Sequence, residues 1–283
     1  MPAYRSFAVL GGGTIGLPIV EALASRNVSV VLFSRPGSSK KTVPSGVEVA
    51  ELEFTDVAAV AAALQQHEVD VVLSTIATAG TKGQMVLADA AKLAGVKLFA
   101  PAEYGLPTDA DTDGPLGEKK RVAEYLKTLG IPTVRFYTGV FIEYVPWLTG
   151  YPEHNKIRIV GEGDAPASFT AVSDIAGFVA HVLTTLPSAE LENRVFRLEG
   201  ERRSFKELAR LFNTTIEHLD RIPGEMGEFK TLLTAALSSG AGSTGWDVAN
   251  KREGSGSSAA GSAKVFWPDH QWKTIKEVLK GRD

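Results

Sequence analysis

A run of glycines near the start of the chain constrains the fold more than any other feature of the sequence. In "FAVLGGGTIGLPIVEAL" (7–23) a short apolar run precedes three glycines, and a fourth glycine and a helical pattern follow. Gly11, Gly13 and Gly16 fit G-x-G-x-x-G between a strand and a helix. In that setting one glycine permits a tight turn, the next lets backbone N–H groups approach a pyrophosphate, and the third lets helix pack on strand.

The helix that follows adds N–H donors and a partial positive charge for phosphates. The turn therefore predicts a bound dinucleotide, with a glycine turn that binds no ligand as the alternative. The predicted contacts at this turn are Gly11, Gly13, Thr14, Ile15 and Gly16.

Apolar strand-like runs alternate with helical patterns up to about residue 140. Such alternation is typical of a parallel sheet that is covered by helices on both faces. Because crossovers between parallel strands are right-handed, the sequence predicts an α/β fold with a doubly wound parallel sheet of the Rossmann type. The predicted strands are "FAVL" (7–10), "VSVVLF" (28–33), "VEVAEL" (47–52), "VDVVLST" (69–75), "VKLFAP" (96–101) and "PTVRFY" (132–137).

Composition and charge exclude several classes of function. The chain has 283 residues, 44% of them hydrophobic, a net charge of −3 and no cysteine. This balance disfavours binding to nucleic acid or to a membrane surface, and it excludes disulfides and thiolate metal sites. The five histidines show no metal-ligand spacing, so no metal is predicted. With neither a signal peptide nor a membrane-spanning run in the sequence, we expect a cytoplasmic protein, monomeric or homodimeric.

The end of the second predicted strand indicates which dinucleotide is bound. An NAD site usually has an acidic residue about twenty positions after the glycines, where it bonds the ribose 2′-hydroxyl. Here the strand runs into "FSRPGSSKK", so Ser34 and Arg35 stand in place of the acid, and Lys40 and Lys41 follow. A guanidinium beside lysines suits a dianionic 2′-phosphate. We predict NADP(H), bound by Ser34, Arg35 and Lys40, although both lysines are equally compatible with ordinary loop charges.

Together these motifs resemble a known family. The glycine turn, Arg35, "DVVLSTIA" (70–77), "AAKLAGVKLFAPAEYG" (90–105) and "EKKRVAEYLKTLGIP" (118–132) are similar to the NmrA-like, isoflavone-reductase-like group of atypical short-chain dehydrogenases. That group includes phenylcoumaran benzylic ether reductases and pinoresinol–lariciresinol reductases. The resemblance implies an NADPH-dependent reductase that transfers hydride to an aromatic, phenolic or quinone-methide-like small molecule.

The resemblance also implies a catalytic lysine. Enzymatic members carry a lysine twelve residues before the isoleucine of "GIP", beside the nicotinamide, where it acts as general acid/base; that position is Lys119. Partial desolvation near other cations would lower its pKa toward working pH. The alternative is a solvated basic face at the start of a helix. Enzymatic relatives often carry an arginine one turn later, and this chain has Ala123 there.

Residues after the later strands complete the predicted site, since ligands of an open parallel sheet lie beyond the carboxyl ends of its strands. Glu103 is equally compatible with a structural role, and the aromatic residues are compatible with plain packing. Predicted to contact the cofactor are Thr75, Ile76, Ala77, Pro101, Glu103, Thr138, Gly139, Val140 and Phe141. Predicted to contact the substrate are Tyr104, Tyr144, Trp147 and His270.

Two functions of different class fit these features. The first is the reductase, with Lys119 moving the proton. The second is an NADP(H)-binding redox sensor of the NmrA type without turnover, which Ala123 and the glycine-rich segment 238–263 favour. None of the six tyrosines has lysine four residues on, which disfavours tyrosine-driven carbonyl reduction and a nucleotide-sugar epimerase or dehydratase.

Domain boundaries follow from the same patterns. We predict an NADP-binding Rossmann domain over 1–140, to which 168–200 returns. The smaller, interleaved C-terminal substrate domain is predicted over 141–167 and 201–283. Within it, 238–263 is dominated by Gly, Ser and Ala and offers little apolar area, so a flexible loop is expected there.

Overall fold

The computed structural model describes residues 4–39, 41–76, 83–109 and 114–280. Contacts between residues divide the chain into two units, each built from segments that are separate in sequence. The first unit comprises Met1–Glu103, Thr108–Phe136 and Ile175–Phe196, and the second comprises Tyr104–Pro107, Tyr137–Asp174 and Arg197–Asp283.

Strands and helices alternate up to Tyr137, and shorter elements follow. In chain order the first are β1 (Ser6–Leu10), α1 (Gly16–Ala24), β2 (Ser29–Ser34), β3 (Glu48–Glu51), α2 (Val57–Gln66), β4 (Val71–Ser74), α3 (Gly83–Ala94), β5 (Leu98–Ala100), α4 (Gly114–Thr128) and β6 (Val134–Tyr137). The others are β7 (Val140–Phe141), α5 (Val145–Thr149), β8 (Lys156–Ile159), β9 (Ala167–Thr170), α6 (Val172–Thr185), α7 (Ser188–Leu191), β10 (Arg194–Arg197), β11 (Glu201–Arg203), α8 (Phe205–Leu211), β12 (Thr215–His218), α9 (Gly227–Ser239), β13 (Trp246–Asp247), β14 (Arg252–Glu253) and α10 (Ile275–Leu279). Within the described ranges, no helix is both long enough and apolar enough to cross a membrane.

The sheet of the first unit has five parallel strands in the order β3-β2-β1-β4-β5. Its register pairs Leu10 with Phe33 on one side and with Ser74 on the other, so the carboxyl ends of β1, β2 and β4 lie side by side. A parallel bridge between Phe99 and Thr133 places β6 next to β5, and β10 pairs with β6. This order confirms the predicted α/β fold with a doubly wound parallel sheet.

The central strands are apolar on both faces because both faces are covered. Ala8 and Leu10 of β1 pack in one cluster with residues of α2, α3 and α4. Phe7 and Val9, whose side chains alternate to the opposite face, are also fully buried. This is why the strand sequences read as continuous hydrophobic runs rather than alternating ones.

Three phenylalanines hold β6, α6 and β10 together. The rings of Phe136 and Phe196 stack with centroids 5.6 Å apart, and Phe178 meets them edge-on at 6.5 and 5.4 Å. All three are buried, and such aromatic pairs contribute about 0.5–1.5 kcal/mol each beyond their buried area. The cluster fixes β6, which carries a charged residue of the candidate site.

The second unit contains smaller sheets. One has the order β11-β9-β7, and another pairs β12 with β8. Gly139, just before β7, has a φ of +65°, and a Cβ there would lie 2.7 Å from the carbonyl carbon of Ser168. Both its left-handed backbone and the close approach of β9 therefore require glycine at this position.

The glycine- and serine-rich segment 238–263 differs from the flexible loop that its composition predicts. It contains the end of α9, the β13–β14 hairpin and two 3₁₀ turns. Ser243 is fully buried and donates to Glu253 at 2.9 Å, and Arg202 donates to the other oxygen of Glu253 at 2.9 Å. Buried polar groups that satisfy one another supply order here, which a count of apolar area does not detect.

Candidate functional site

The glycine turn joins β1 to α1 in the first unit. Gly11 has a φ of +103°, and its N–H donates to the carbonyl of Phe33 at 2.9 Å. The hydroxyl of Thr75, directly after β4, donates to the carbonyl oxygens of Gly11 at 2.6 Å and Leu10 at 3.1 Å. Thr75 thus holds the turn in place from the neighbouring strand. The sequence predicted a cofactor contact for Thr75 but not this hydrogen bonding to the turn.

The later glycines of the motif differ in what surrounds them. A Cβ on Gly16 would overlap the carbonyl oxygen of Gly11 and lie 2.5 Å from the Thr75 hydroxyl, so this position serves packing of α1 on the turn. Gly13 is exposed, and a Cβ there would meet nothing within 4 Å. Its open side is the space in which a ligand can approach the backbone. The residues present therefore fit a dinucleotide pyrophosphate at this turn.

Helix α1 begins without a side-chain cap. Its N-cap residue, Ile15, has no capping hydrogen bond, and its first turn contains no acidic side chain. Thr14 is exposed next to it. The helix end thus keeps its partial positive charge available for an anion.

The end of β2 carries two of the predicted phosphate ligands. Ser34 is buried, and its backbone carbonyl accepts from Leu52, whereas Arg35 is exposed. Lys40 lies outside the described residues. The neighbouring Lys41 packs its side chain over the glycine turn, where a Cβ on Gly12 would lie 3.2 Å from Lys41 Cγ. Its Nζ donates to Ser39 at 3.1 Å. Arg35 and Lys41 are thus the described cations near the carboxyl end of β2.

The remaining predicted contacts of the first unit lie after β4 and β5. Ile76 is half-buried beside Thr75, and Ala77 lies outside the described residues. Pro101 is buried after β5.

Lys119 lies in the second turn of α4 and points toward the β5–α4 connection. Its Nζ donates to the backbone carbonyl of Glu103 at 2.9 Å, and the side chain is partly buried. Burial lowers the pKa of Lys119, and the carboxylate of Glu103 opposes this shift. Its neighbour Lys120 instead reaches Glu124 at 4.0 Å. A lysine held by a carbonyl, with a lowered pKa, gives up its proton more readily than an exposed lysine, as a general acid/base requires.

Glu103 is buried, with its carboxylate in a side-chain network. Arg135 of β6 donates to Glu103 through Nε and Nη2, both at 2.9 Å, and Thr108 donates to both carboxylate oxygens. The sequence analysis did not identify Arg135, because no local signal links it to Glu103 across 32 positions.

In the second unit, Thr138 to Phe141 form the start of β7 and the turn before it. Thr138 is fully buried and its carbonyl accepts from Thr170 at 2.8 Å. Val140 is buried and Phe141 is half-buried. Tyr104 belongs to the same unit. The residue as a whole is partly exposed, but its phenol group is buried, and this burial raises the pKa of the phenol.

An aromatic ladder extends from β7. The ring centroids of Phe141 and Tyr144 are 5.6 Å apart, those of Tyr144 and Trp147 are 5.9 Å apart, and those of Trp147 and Phe229 are 6.3 Å apart. Lys230 Nζ lies 4.7 Å from the Trp147 ring centroid. Tyr144 and Trp147 are exposed by 41% and 37%, so their rings are not simply part of the core.

His270 is fixed within the second unit by aromatic and acidic partners. Its ring stacks on Trp267 with centroids 3.7 Å apart, and its Nε2 lies 3.1 Å from Asp174 Oδ1. Asp174, which is 98% buried, also accepts from the backbone N–H of Lys273 at 2.7 Å. Asp174 is a further residue that sequence analysis did not assign to this site.

Ala123 lies in the wall of a groove of about 460 Å³ along α4, with Lys120, Glu124 and Arg135 among the lining residues. Over the part of the chain that the structure describes, no group of three or more His, Cys, Asp or Glu side chains could hold a metal ion.

Comparison with known proteins gives a family match over most of the chain. The model of the NmrA-like family matches residues 6–226. The isoflavone reductase homolog P3 of Arabidopsis thaliana is 30% identical over 194 residues, which cover 60% of this chain and 62% of that protein. The match thus spans about three fifths of the length of this relative.

Solved structures share the fold over nearly the whole chain. The binary complex of leucoanthocyanidin reductase with NADPH from Vitis vinifera has a TM-score of 0.76 at 19% identity, covering 97% of this chain and 98% of that one. The complex of AtPrR2 with NADP⁺ and (+)pinoresinol has a TM-score of 0.75 at 21% identity, covering 99% of each chain.

Proposed function

Because the chain belongs to the NmrA-like family, we propose that it is an NADPH-dependent reductase of the isoflavone-reductase type. Its substrate is an aromatic, phenolic or quinone-methide-like small molecule, and Lys119 is the general acid/base. The observation that carries the proposal is the environment of Lys119, whose Nζ is partly buried and held 2.9 Å from the Glu103 carbonyl. The predicted cytoplasmic location and monomeric or homodimeric state stay predictions.

The first unit supplies the cofactor site. The backbone around Gly13 and the uncapped start of α1 would hold the pyrophosphate, and Arg35 with Lys41 would hold the 2′-phosphate. Lys41 would join Lys40, the lysine that the sequence predicts there, because the Lys41 side chain lies over Gly12. When bound, NADPH supplies the hydride that the reaction requires.

Lys119 handles the proton. The ammonium donates to the Glu103 carbonyl, and the same group can turn to a phenolic or enolic oxygen of the substrate and give or take a proton there. Burial favours the neutral amine, which makes the proton easier to release than from an exposed lysine. A positioned group of this kind typically contributes 10²–10⁴-fold to the rate.

The aromatic ladder of the second unit supports an aromatic substrate class. Tyr144 and Trp147 present exposed ring faces, and Phe141 and Phe229 hold them in place at both ends. Exposed aromatic rings of this kind favour contact with flat aromatic ligands. The known complex with (+)pinoresinol is of a protein with the same fold, and this supports the same class here.

The alternative is an NADP(H)-binding sensor without turnover. Ala123 favours it, since the resemblance implies that enzymatic members often carry an arginine at this position that helps hold the cofactor. Both functions share the glycine turn and Arg35, so cofactor binding does not distinguish them.

The test measures oxidation of NADPH by its absorbance, against quinones, enones and isoflavone-like compounds. We expect turnover with at least one compound, loss of about 10²–10⁴-fold in Lys119→Ala, and unchanged NADPH binding in that variant. Lys120→Ala is the matched control, because Lys120 is adjacent but reaches Glu124 instead. Full activity in Lys119→Ala would overturn the proposed role, and NADPH binding without turnover of any compound would establish the sensor.

A further inference from the structure

Arg135 is the centre of a charged network in the first unit. Its guanidinium contacts three side chains: Glu103 through Nε and Nη2 at 2.9 Å, Thr108 through Nη2 at 2.7 Å, and Asp109 through Nη1 at 2.7 Å. The Arg135 and Glu103 side chains are only 12% and 1% exposed. Both guanidinium nitrogens reach the same carboxylate oxygen, Oε1 of Glu103, and a charged pair at this depth is weakly screened by salt.

The network encloses the carboxylate of Glu103. Thr108, which is fully buried, accepts from Arg135 and donates to Glu103 at 3.2 and 3.0 Å. Asp109 is about half exposed and meets the outer nitrogen of the guanidinium. Residues 103, 108 and 109 all belong to the β5–α4 connection, so Arg135 ties both ends of this stretch to β6.

Glu103 links this network to Lys119. Its carboxylate binds Arg135, and its backbone carbonyl accepts from Lys119 Nζ at 2.9 Å. The guanidinium therefore acts on Lys119 in two ways. It fixes the residue whose carbonyl orients the amine, and it offsets the negative charge that would otherwise stabilise the ammonium form.

We propose that Arg135 is a positioning residue for Lys119, which it orients through Glu103 and shields from the Glu103 carboxylate. That this positioning matters for catalysis rests on the proposed function. The contacts among Arg135, Glu103 and Lys119 themselves do not depend on a bound cofactor. A pair that merely stitches the β5–α4 connection to β6 is the competing explanation, and the two make different predictions for the charge state of Lys119.

The charges that face this site come from three elements. The β5–α4 connection contributes Glu103 and Asp109, and β6 contributes Arg135. On α4 itself the charged neighbours in sequence are Glu118, Lys120 and Arg121. Among these, the Glu103 carboxylate raises the pKa of Lys119, against the lowering by burial.

The experiment follows the reactivity of Lys119 toward acetic anhydride as a function of pH in the cofactor-free protein. Only the neutral amine reacts, so the pH of half-maximal reactivity reports the charge state of Lys119 without requiring turnover. Peptide mass spectrometry quantifies the modification, and Lys276, exposed on α10, is the internal reference. The variants are Arg135→Gln, Glu103→Gln and the double variant.

Removing the positive charge alone should raise the midpoint by about one pH unit, since an uncompensated carboxylate nearby favours the ammonium. Glu103→Gln should lower it, because Arg135 then faces the amine without its partner. The double variant should return to within a few tenths of wild type. A purely structural pair would leave the midpoint of Arg135→Gln unchanged, and the double variant would then match Glu103→Gln.

Equal midpoints in all four proteins, or a fall in Arg135→Gln, would overturn the proposal. If Arg135→Gln does not fold, the double variant is compared with Glu103→Gln: a higher midpoint in the double variant shows the effect of the Arg135 charge on Lys119, and equal midpoints overturn the proposal. If the midpoints shift in opposite directions but the wild-type protein has no reductase activity, the positioning role stands and the proposed function is refuted.

Discussion

The three-residue spacing between Gly13 and Gly16 offers a sharp test of the cofactor site, because the same substitution should act differently at the two positions. A Cβ at Gly13 meets nothing within 4 Å, and its φ lies outside the left-handed region. A Cβ at Gly16 overlaps the Gly11 carbonyl and lies 2.5 Å from the Thr75 hydroxyl. Gly13→Ala should thus weaken NADPH binding without destabilising the fold, whereas Gly16→Ala should destabilise the fold as well.

The magnitudes follow from these surroundings. An alanine at a compatible glycine position stabilises by about 0.4–1 kcal/mol, so Gly13→Ala should raise the melting temperature by about 1–4 °C. Gly16→Ala forces the turn and α1 apart, and such overpacking costs about 1–3 kcal/mol, or about 2–12 °C. For NADPH, loss of one charge-assisted hydrogen bond from the backbone at Gly13 costs about 1.5–3 kcal/mol, which weakens binding about 10–150-fold.

Calorimetric titration with NADPH and thermal denaturation measure both quantities on the same preparations. Wild-type affinity for NADPH in Gly13→Ala would refute the inference that the backbone at Gly13 approaches the pyrophosphate. If the melting temperature of Gly13→Ala falls as far as that of Gly16→Ala, the methyl group added at Gly13 must meet neighbouring atoms in solution, contrary to the structure.

Three further predictions concern the charged groups. Arg35→Ala should weaken NADPH binding about 10–100-fold and leave NADH binding unchanged in calorimetry, and an equal loss for both would exclude a 2′-phosphate contact. Asp174→Ala leaves His270 and the Lys273 N–H without their acceptor, so urea denaturation should show a loss of about 1–3 kcal/mol; an unchanged midpoint would contradict this. The pKa of Lys119 in the folded protein lies below its ordinary value of 10.5, so the unfolded chain binds more protons between the two values, and the free energy of unfolding should rise with pH there. Lys119→Met should flatten that rise, and parallel curves for the two proteins would refute the assignment.

Features that depend on neighbours along the chain could be predicted from the sequence. The apolar runs predicted the strands of the parallel sheet, and the helical patterns between them correspond to helices such as α4, Gly114–Thr128. The glycine turn was predictable for the same reason, since Gly11 needs a positive φ wherever such a turn occurs. These rules act within a few residues and do not require knowledge of the tertiary fold.

Contacts between distant residues could not be predicted in the same way. Lys41 lies over Gly12 because of the path of the loop after β2, and composition alone left it equivalent to Lys40. The order in 238–263 comes from Arg202 and Ser168, which are far away in sequence. Glycine and serine there read as a flexible loop because their polar partners are contributed by other segments.

The environment of Lys119 shows why the chemistry of the site is the part least accessible to sequence reasoning. The sequence offered Lys120 and Arg121 as like charges that could lower its pKa, yet adjacent helical positions do not face each other, and Lys120 reaches Glu124. Burial is the first cause of the shift, and the charge that acts on it, Glu103, belongs to the connection after β5. That charge is in turn paired with Arg135 of β6. Because burial and Glu103, rather than its neighbours on α4, act on the pKa of Lys119, changes at Arg135, which pairs with Glu103, should alter that pKa more than changes at Lys120.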